Sequence, residues 1–369
     1  MKFNWYFFEQ FDPEREAGNP DNPRRIAARK ADPLLQTLAE HRPGSWQLDA
    51  CIAQFGSALP AQLLRAGVIR SESGRLYYDC PVFLSSDALP LREQSTLWAR
   101  RMADRLAEEE EALLGCCRQL KSTSSPRQAL YHVLCGMVLD GALMAPLSEA
   151  GLIADSRPHP SGLDYLILLY EQCPQLEALS EGLLCSWNRL IGTRCALQSF
   201  GDSRGTRYDL YRFFRLREAG QLPAVFQRAE ALFSASGLTA ERLTEEAAEL
   251  VTTGRCLPAA QALLEEFGYW RESSAIVPVF YPEDEAVVAQ AAEVTSGALL
   301  ELFSQALSTL SHLDTLTGSR HGVRTSEMGN ELYHILFGSL NEELVRRGIA
   351  DAPCHRPGQG RFARSILLL

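Results

Sequence analysis

The sequence predicts an α+β, mostly helical protein with an internal duplication. Each half reads as a winged-helix-like unit plus a long helix, and short strands open and close each half to form a shared sheet. Three observations predict this. Landmarks recur in the same order in both halves: Arg15-Glu16-Ala17-Gly18 and Arg217-Glu218-Ala219-Gly220, Leu59-Pro60 and Leu257-Pro258, Pro81-Val82-Phe83 and Pro278-Val279-Phe280. Leu130-Tyr131-His132 and Leu332-Tyr333-His334 follow, then Ile153-Ala154-Asp155 and Ile349-Ala350-Asp351. Collinear repeats of this kind must be read before any local pattern, because they decide the architecture. The second observation is a run of short helical stretches leading into a hairpin, the element order of a winged helix. The third is a pair of short, nearly continuous apolar runs that close the halves.

In chain order, residues 3–11 are aromatic and short, and read as the first opening strand. A polar turn with Pro13, Gly18, Pro20 and Pro23 follows. Helical patterning through Ile26, Leu34, Leu35 and Leu38 stops at Gly44, a second helix over 48–55 stops at Gly56, and a third over 59–66 stops at Gly67. Val68-Ile69-Arg70 and Leu76-Tyr77-Tyr78 flank Ser71-Glu72-Ser73-Gly74, the signature of a hairpin. The first winged-helix-like unit therefore spans 24–86, its long helix 90–120 and a helix–loop–strand segment 126–171, within a first repeat of 1–200. The closing strand is Asp164-Tyr165-Leu166-Ile167-Leu168-Leu169-Tyr170.

The second repeat, 205–369, follows the same order: an opening strand over 207–216, a winged-helix-like unit at 222–281, a long helix at 283–313 and a helix–loop–strand segment at 326–369. The polar stretch Gly201-Asp202-Ser203-Arg204-Gly205 is the expected linker.

Composition narrows the function classes. With 369 residues, 46% hydrophobic and 22% charged, the chain is long enough for two cores. A net charge of -10 argues against holding nucleic acid through bulk electrostatics, so any DNA contact needs a local basic face. The start, Met1-Lys2-Phe3-Asn4-Trp5, carries an early charge unlike a secretory signal. No uncharged apolar run reaches membrane-spanning length, and the expected location is cytoplasmic with no membrane partner. Ten cysteines without a Cys-x-x-Cys pair suit buried thiols, and Cys116-Cys117 reads as packing within a helix. No cofactor or metal is expected: Gly-x-Gly-x-x-Gly after a strand, a Walker loop, a Gly-x-Ser-x-Gly elbow and His-Glu-x-x-His are all absent from the sequence.

Three groups of residues remain as candidate sites. Arg65, Arg70 and Arg75 lie on or beside the third helix and the hairpin of the first repeat, with Arg24 and Arg25 upstream, and form the candidate nucleic-acid face. The Tyr-His pairs place His132 and His334 on apolar helices, where imidazole serves as a base, a ligand or a structural group. The loops Ser156-Arg157-Pro158-His159-Pro160-Ser161-Gly162 and Cys354-His355-Arg356-Pro357 combine His, Arg and backbone amides suited to anions. The expectation is a regulatory or scaffolding protein, not an enzyme, with a protein partner and DNA contact through the first repeat. The alternative is an enzyme or small-molecule sensor with a pocket at the interface of the repeats built from His132, His159, His334, His355 and Arg356.

Overall fold

The structure is a computed structural model that describes all residues except 13, 14, 17, 20, 27, 123, 204–206 and 357. It is an α+β fold, 54% helical and 17% strand, with the strands in several small sheets. The chain divides into two compact units. The first comprises Met1–Trp98, Ala145–Ser180 and Glu301–Leu336, the second Ala99–Met144, Glu181–Leu300 and Phe337–Leu369. Compaction therefore does not follow the division of the chain at 200–205.

The N-terminal part supplies β1 (Phe3–Glu9), α1 (Ala28–Glu40), α2 (Leu48–Phe55), α3 (Ala58–Arg65), β2 (Ile69–Glu72), β3 (Arg75–Tyr78), β4 (Val82–Phe83) and α4 (Ala88–Ala107). Between β2 and β3, Ser73 and Gly74 both take positive φ, 52° and 79°, the two-residue turn that matches strand twist. The hairpin is fixed to the helices from two sides. Leu76 N–H donates to the Trp46 carbonyl at 2.9 Å and Leu48 N–H to that of Gly74 at 2.7 Å, while the buried Tyr78 hydroxyl donates to the Leu35 carbonyl at 2.6 Å. Leu34, Leu35 and Leu38 of α1 are buried at helical spacing, as their periodicity predicts.

Downstream come α5 (Glu110–Cys117), then α6 (Pro126–Leu130), a π-helical stretch (Tyr131–Ala142) kinked at Asp140, and α7 (Met144–Glu149), then β5 (Arg157–Pro158), β6 (Asp164–Glu171) and α8 (Pro174–Glu181). In the first unit β6 is central: β1 pairs antiparallel with it from Phe3↔Glu171 to Glu9↔Tyr165, and β4 lies parallel on its other side. That explains its unbroken apolar run, buried from Tyr165 to Tyr170. The short β5 pairs antiparallel with the start of β6, Arg157 opposite Tyr165, which fixes the following turn.

The chain continues through β7 (Leu184–Ile191), β8 (Cys195–Asp202), α9 (Leu210–Glu218), α10 (Gln227–Ser236), α11 (Ala240–Thr253), α12 (Pro258–Glu266), β9 (Trp270–Arg271), β10 (Ser274–Ala275) and β11 (Val279–Phe280). The last elements are α13 (Glu285–Ser311), α14 (Thr317–Arg320), α15 (Thr325–Arg346), β12 (His355–Arg356) and β13 (Gly360–Leu368). In the second unit β8 pairs antiparallel with β7 and β13, and β11 runs parallel to β13. Phe213, Phe226, Phe233 and Phe267 pack beneath this sheet with Tyr208. Arg207 is fully buried, its guanidinium donating to the Ser186 carbonyl and the Ser199 hydroxyl at 2.7 Å each and paired with Asp209 at 3.1 Å.

Three expectations need correction. The opening and closing strands form no single shared sheet: β1, β4, β5 and β6 make one sheet, and β7, β8, β11, β12 and β13 make another. The segment 207–216 is not a strand. Asp209 caps α9 by accepting from Arg212 N–H at 2.8 Å, and Leu210, Phe213 and Phe214 are buried at i, i+3 and i+4 spacing, so helical periodicity outweighs aromatic strand propensity. Gly201 and Asp202 of the expected linker belong to β8, because a backbone with no Cβ at 201 lets Phe362 of β13 approach closely; Arg204 and Gly205 lie outside the described residues, as does Ala17 of the first landmark. Separately, two helical spans, Pro126–Glu149 and Pro282–Ser311, pass a membrane-span test by length and composition alone. They escape a search for uncharged runs because each carries isolated charges; 61% of the apolar window of the first is buried in protein, as in a core helix, and 28% of the second.

Candidate functional site

A cavity of about 370 Å³ opens in the first unit where the end of α3, the end of the hairpin and the turn after β5 meet. Its wall carries Arg65, Asp79, Arg157, His159 and Arg324, with Asp21 at the rim. These residues come from five separate parts of the sequence.

Arg157 organises the wall. Only 7% exposed, it donates through Nη2 to the Gly67 carbonyl at 2.9 Å and to Asp79 Oδ2 at 2.8 Å, and through Nη1 to Glu327 Oε1 at 3.3 Å. Glu327, in the first turn of α15, also accepts from Arg324 Nη1 at 2.9 Å. Burial pushes the Glu327 carboxyl above its ordinary range, and Arg157 and Arg324 oppose that shift. Because Arg157 shares its charge with Asp79 and Glu327, it acts as a strut more than as a free receptor. Arg324 leaves much of its side chain in solvent, and Arg65, in the last turn of α3, is exposed with no ion pair among the described residues.

His159 is held flat against Tyr165, ring centroids 3.7 Å apart and planes within 6°. Its Nε2 lies 3.1 Å from the Tyr165 carbonyl, which only accepts, so Nε2 carries the hydrogen and Nδ1 the lone pair. Burial, and then the Arg157 charge, lower its pKa, which keeps the ring neutral. Gly67 makes the close approach feasible: at φ +65° it lies against Arg157 Nη2, and a Cβ would sit 2.8 Å from His159 Cε1.

The structure treats the other sequence candidates differently. Arg70 is consumed internally: it pairs with Glu72 at 2.7 Å, donates to the Tyr78 and His321 carbonyls at 2.6 and 2.5 Å, and lies over the Tyr77 ring. The buried His321 accepts the Tyr78 N–H at 3.2 Å through Nδ1, and its pKa is pushed down to about 4 by burial, with Arg320 and Arg70 adding to the shift. Arg24 is paired with Glu9 at 2.6 Å, and Arg25 donates to the Gly18 carbonyl at 3.0 Å. Arg75 is exposed at the start of β3. Of the imidazoles, only His159 lines the cavity. His334, in the same unit, has Nδ1 2.8 Å from the Asn330 carbonyl on its own helix. His132 and His355 belong to the second unit, the first buried with its pKa lowered to about 3, the second exposed on β12; neither lines that unit's own 230 Å³ cavity beside Tyr131, Arg271, Cys354 and Arg364. The Arg356 side chain and Pro357 lie outside the described residues.

Sequence reading found Arg65 and His159 but assigned them to different sites, and did not single out Asp79, Arg324 or Glu327. The signal for Arg157 was present in its loop; no local pattern marks the other three. Among the described residues no group of three or more His, Cys, Asp or Glu side chains could hold a metal ion. No protein-family model, no curated protein and no solved structure matches the chain.

Proposed function

We propose that this chain is a ligand-responsive regulatory protein built on two related winged-helix-type units, the first of which holds a small anionic molecule in the cavity beside its helix–hairpin element. The observation that carries the reading is the pairing of Arg65, exposed and without a counter-ion among the described residues, with the half-free Arg324 on the wall of one cavity. Guanidinium groups aimed at a common space suit a carboxylate or phosphate. The wall joins α3, the hairpin end, β5 and the start of α15, so an occupant would add a further tie between elements that Arg157 already links. Support for the winged-helix type comes from the order α1–α2–α3–β2–β3 and from the strand-like bridge of Gln47 to Arg75 ahead of α2. The collinear landmarks support the duplication.

Thermal melting of the full chain with succinate and with inorganic phosphate tests the reading. A ligand that binds only the folded state raises the transition, by about 2.7 kcal/mol at a hundred times its dissociation constant. The rise is expected to vanish in Arg65→Ala/Arg324→Ala; no rise in the wild type with phosphate, succinate or its hydroxyl- and amino-substituted analogues refutes the proposal. A second reading, contact with duplex DNA or an acidic protein surface by the same unit, is favoured by the exposure of Arg65 and Arg75. Salt-sensitive gel retardation of random duplex, lost in Arg65→Glu/Arg75→Glu, would support it.

A further inference from the structure

Two properties of the cavity wall are not explained by a purely negative ligand. First, its charges are mixed: Arg65, Arg157 and Arg324 are accompanied by Asp21 and Asp79, with the buried Glu327 immediately behind Arg157 and Arg324. A ligand carrying only negative charge gains from Arg65 and Arg324 and is repelled by the carboxylates. Second, His159 spends its one ring hydrogen on the Tyr165 carbonyl, and no hydrogen bond among the described residues occupies Nδ1. The wall therefore combines cationic donors with acceptors that have room for a donor from outside.

We propose that the cavity takes a small carboxylic acid that bears a hydroxyl or ammonium donor next to its carboxylate, the carboxylate held by Arg65 and Arg324 and the donor by His159 Nδ1 and the Asp79 or Asp21 carboxylate. A volume of about 370 Å³ accommodates a four- to six-carbon acid with water, at the small end of ordinary ligand pockets. Neutrality of the ring, enforced by burial and by Arg157, keeps Nδ1 an acceptor at physiological pH. A site that presents an acceptor to such a donor discriminates against the analogue that lacks it, because the acceptor is then left unmatched. This inference rests on the proposed sensor reading and specifies its ligand.

Calorimetric titration of the full chain with succinate, malate and aspartate tests it, since the three acids differ chiefly in carrying no donor, a hydroxyl or an ammonium on one carbon. Malate or aspartate is expected to bind about tenfold more tightly than succinate. His159→Phe, which keeps a flat ring over Tyr165 and removes the acceptor, should bring the malate-to-succinate ratio close to one. Asp21→Asn, at the rim, should weaken aspartate more than malate if the ammonium form is the natural ligand, and neither selectively if the hydroxyl form is; it also serves where His159→Phe fails to fold. Equal affinity of all three acids for the wild type overturns the donor requirement and leaves the sensor reading standing. Absence of binding by any of them, with no response to phosphate, overturns both.

Discussion

Replacing Arg157 by Met probes whether the first unit depends on its buried ion network. Methionine keeps the apolar stem of the side chain but abandons Asp79, Glu327 and the Gly67 carbonyl. The two acids suffer unequally: the Asp79 side chain is 24% exposed and water reaches it, whereas that of Glu327 is 2% exposed. Breaking a buried pair by removing one partner costs about 3–5 kcal/mol, mostly through the stranded charge. Arg324 remains 2.9 Å from Glu327, so the lower end, about 3 kcal/mol, is the expected loss. Urea unfolding followed by the fluorescence of buried Trp46 measures it. Adding Glu327→Gln to the Met variant should restore about 2 kcal/mol, because the neutral amide removes the charge that made the loss large. The pH dependence has a definite sign. Glu327 has a raised pKa in the fold, so its contribution is most favourable below the unfolded value and is lost as pH rises through the folded one. Without Arg157 that folded pKa climbs further, and the deficit of the variant should be smallest in acid and grow toward neutrality. A single-variant loss below about 1 kcal/mol, or a double variant no more stable than the single, would refute the account.

His321 should make the first unit acid-sensitive: its folded pKa of about 4 lies below the ordinary 6.5, so its contribution is intact above 6.5 and fades as pH falls toward 4. The full linkage amounts to about 3 kcal/mol, and urea midpoints across this window should flatten in His321→Gln. Gly67→Ala should cost about 2 kcal/mol and abolish anion binding, since it adds a positive-φ penalty to overlap with Arg157 and His159. Gly151→Ala, also at positive φ but with open space around its Cβ, should cost only about 1 kcal/mol in the same denaturation assay. Arg70→Glu should destabilise the hairpin by removing its bonds to Tyr78 and His321, whereas Arg75→Glu should stay within about 0.5 kcal/mol of wild type. Equal melting of the two variants would show that the Arg70 bonds carry no stability.

Elements whose burial follows local periodicity were legible from the chain: α2 ends at Phe55 before Gly56, β1 pairs with β6, and the β2–β3 turn falls at Ser73-Gly74. What the chain concealed has identifiable physical causes. Tyr208, Tyr211, Phe213 and Phe214 favour a strand by composition, yet Asp209 starts a helix whose buried positions are three and four apart. The β7–β8 hairpin was overlooked because Ser186-Trp187-Asn188-Arg189 reads as polar surface, although Ile191-Gly192 carries a turn signal and β8 is buried along its whole length.

The cavity was hidden for a different reason. Arg65 lies at a helix end, Asp79 just past a strand, Arg157 and His159 on a two-residue strand and its turn, and Arg324 before another helix. Each is unremarkable within its own ten residues, and their convergence depends on which strand pairs with which. Only the β5–β6 register, Arg157 opposite Tyr165, turns the 156–162 loop back under Gly67. Had β5 slipped by one residue, Arg157 would face the opposite side of the sheet, and Asp79 and Glu327 would be left with a proline as their neighbour. The buried ion network therefore has a role in fixing register as well as in holding charge: the correct pairing satisfies three partners of Arg157, and the slipped pairing satisfies none. The same commitment leaves Arg65 and Arg324, among the described residues of that wall, as the cations with capacity to spare for the acid proposed as its occupant.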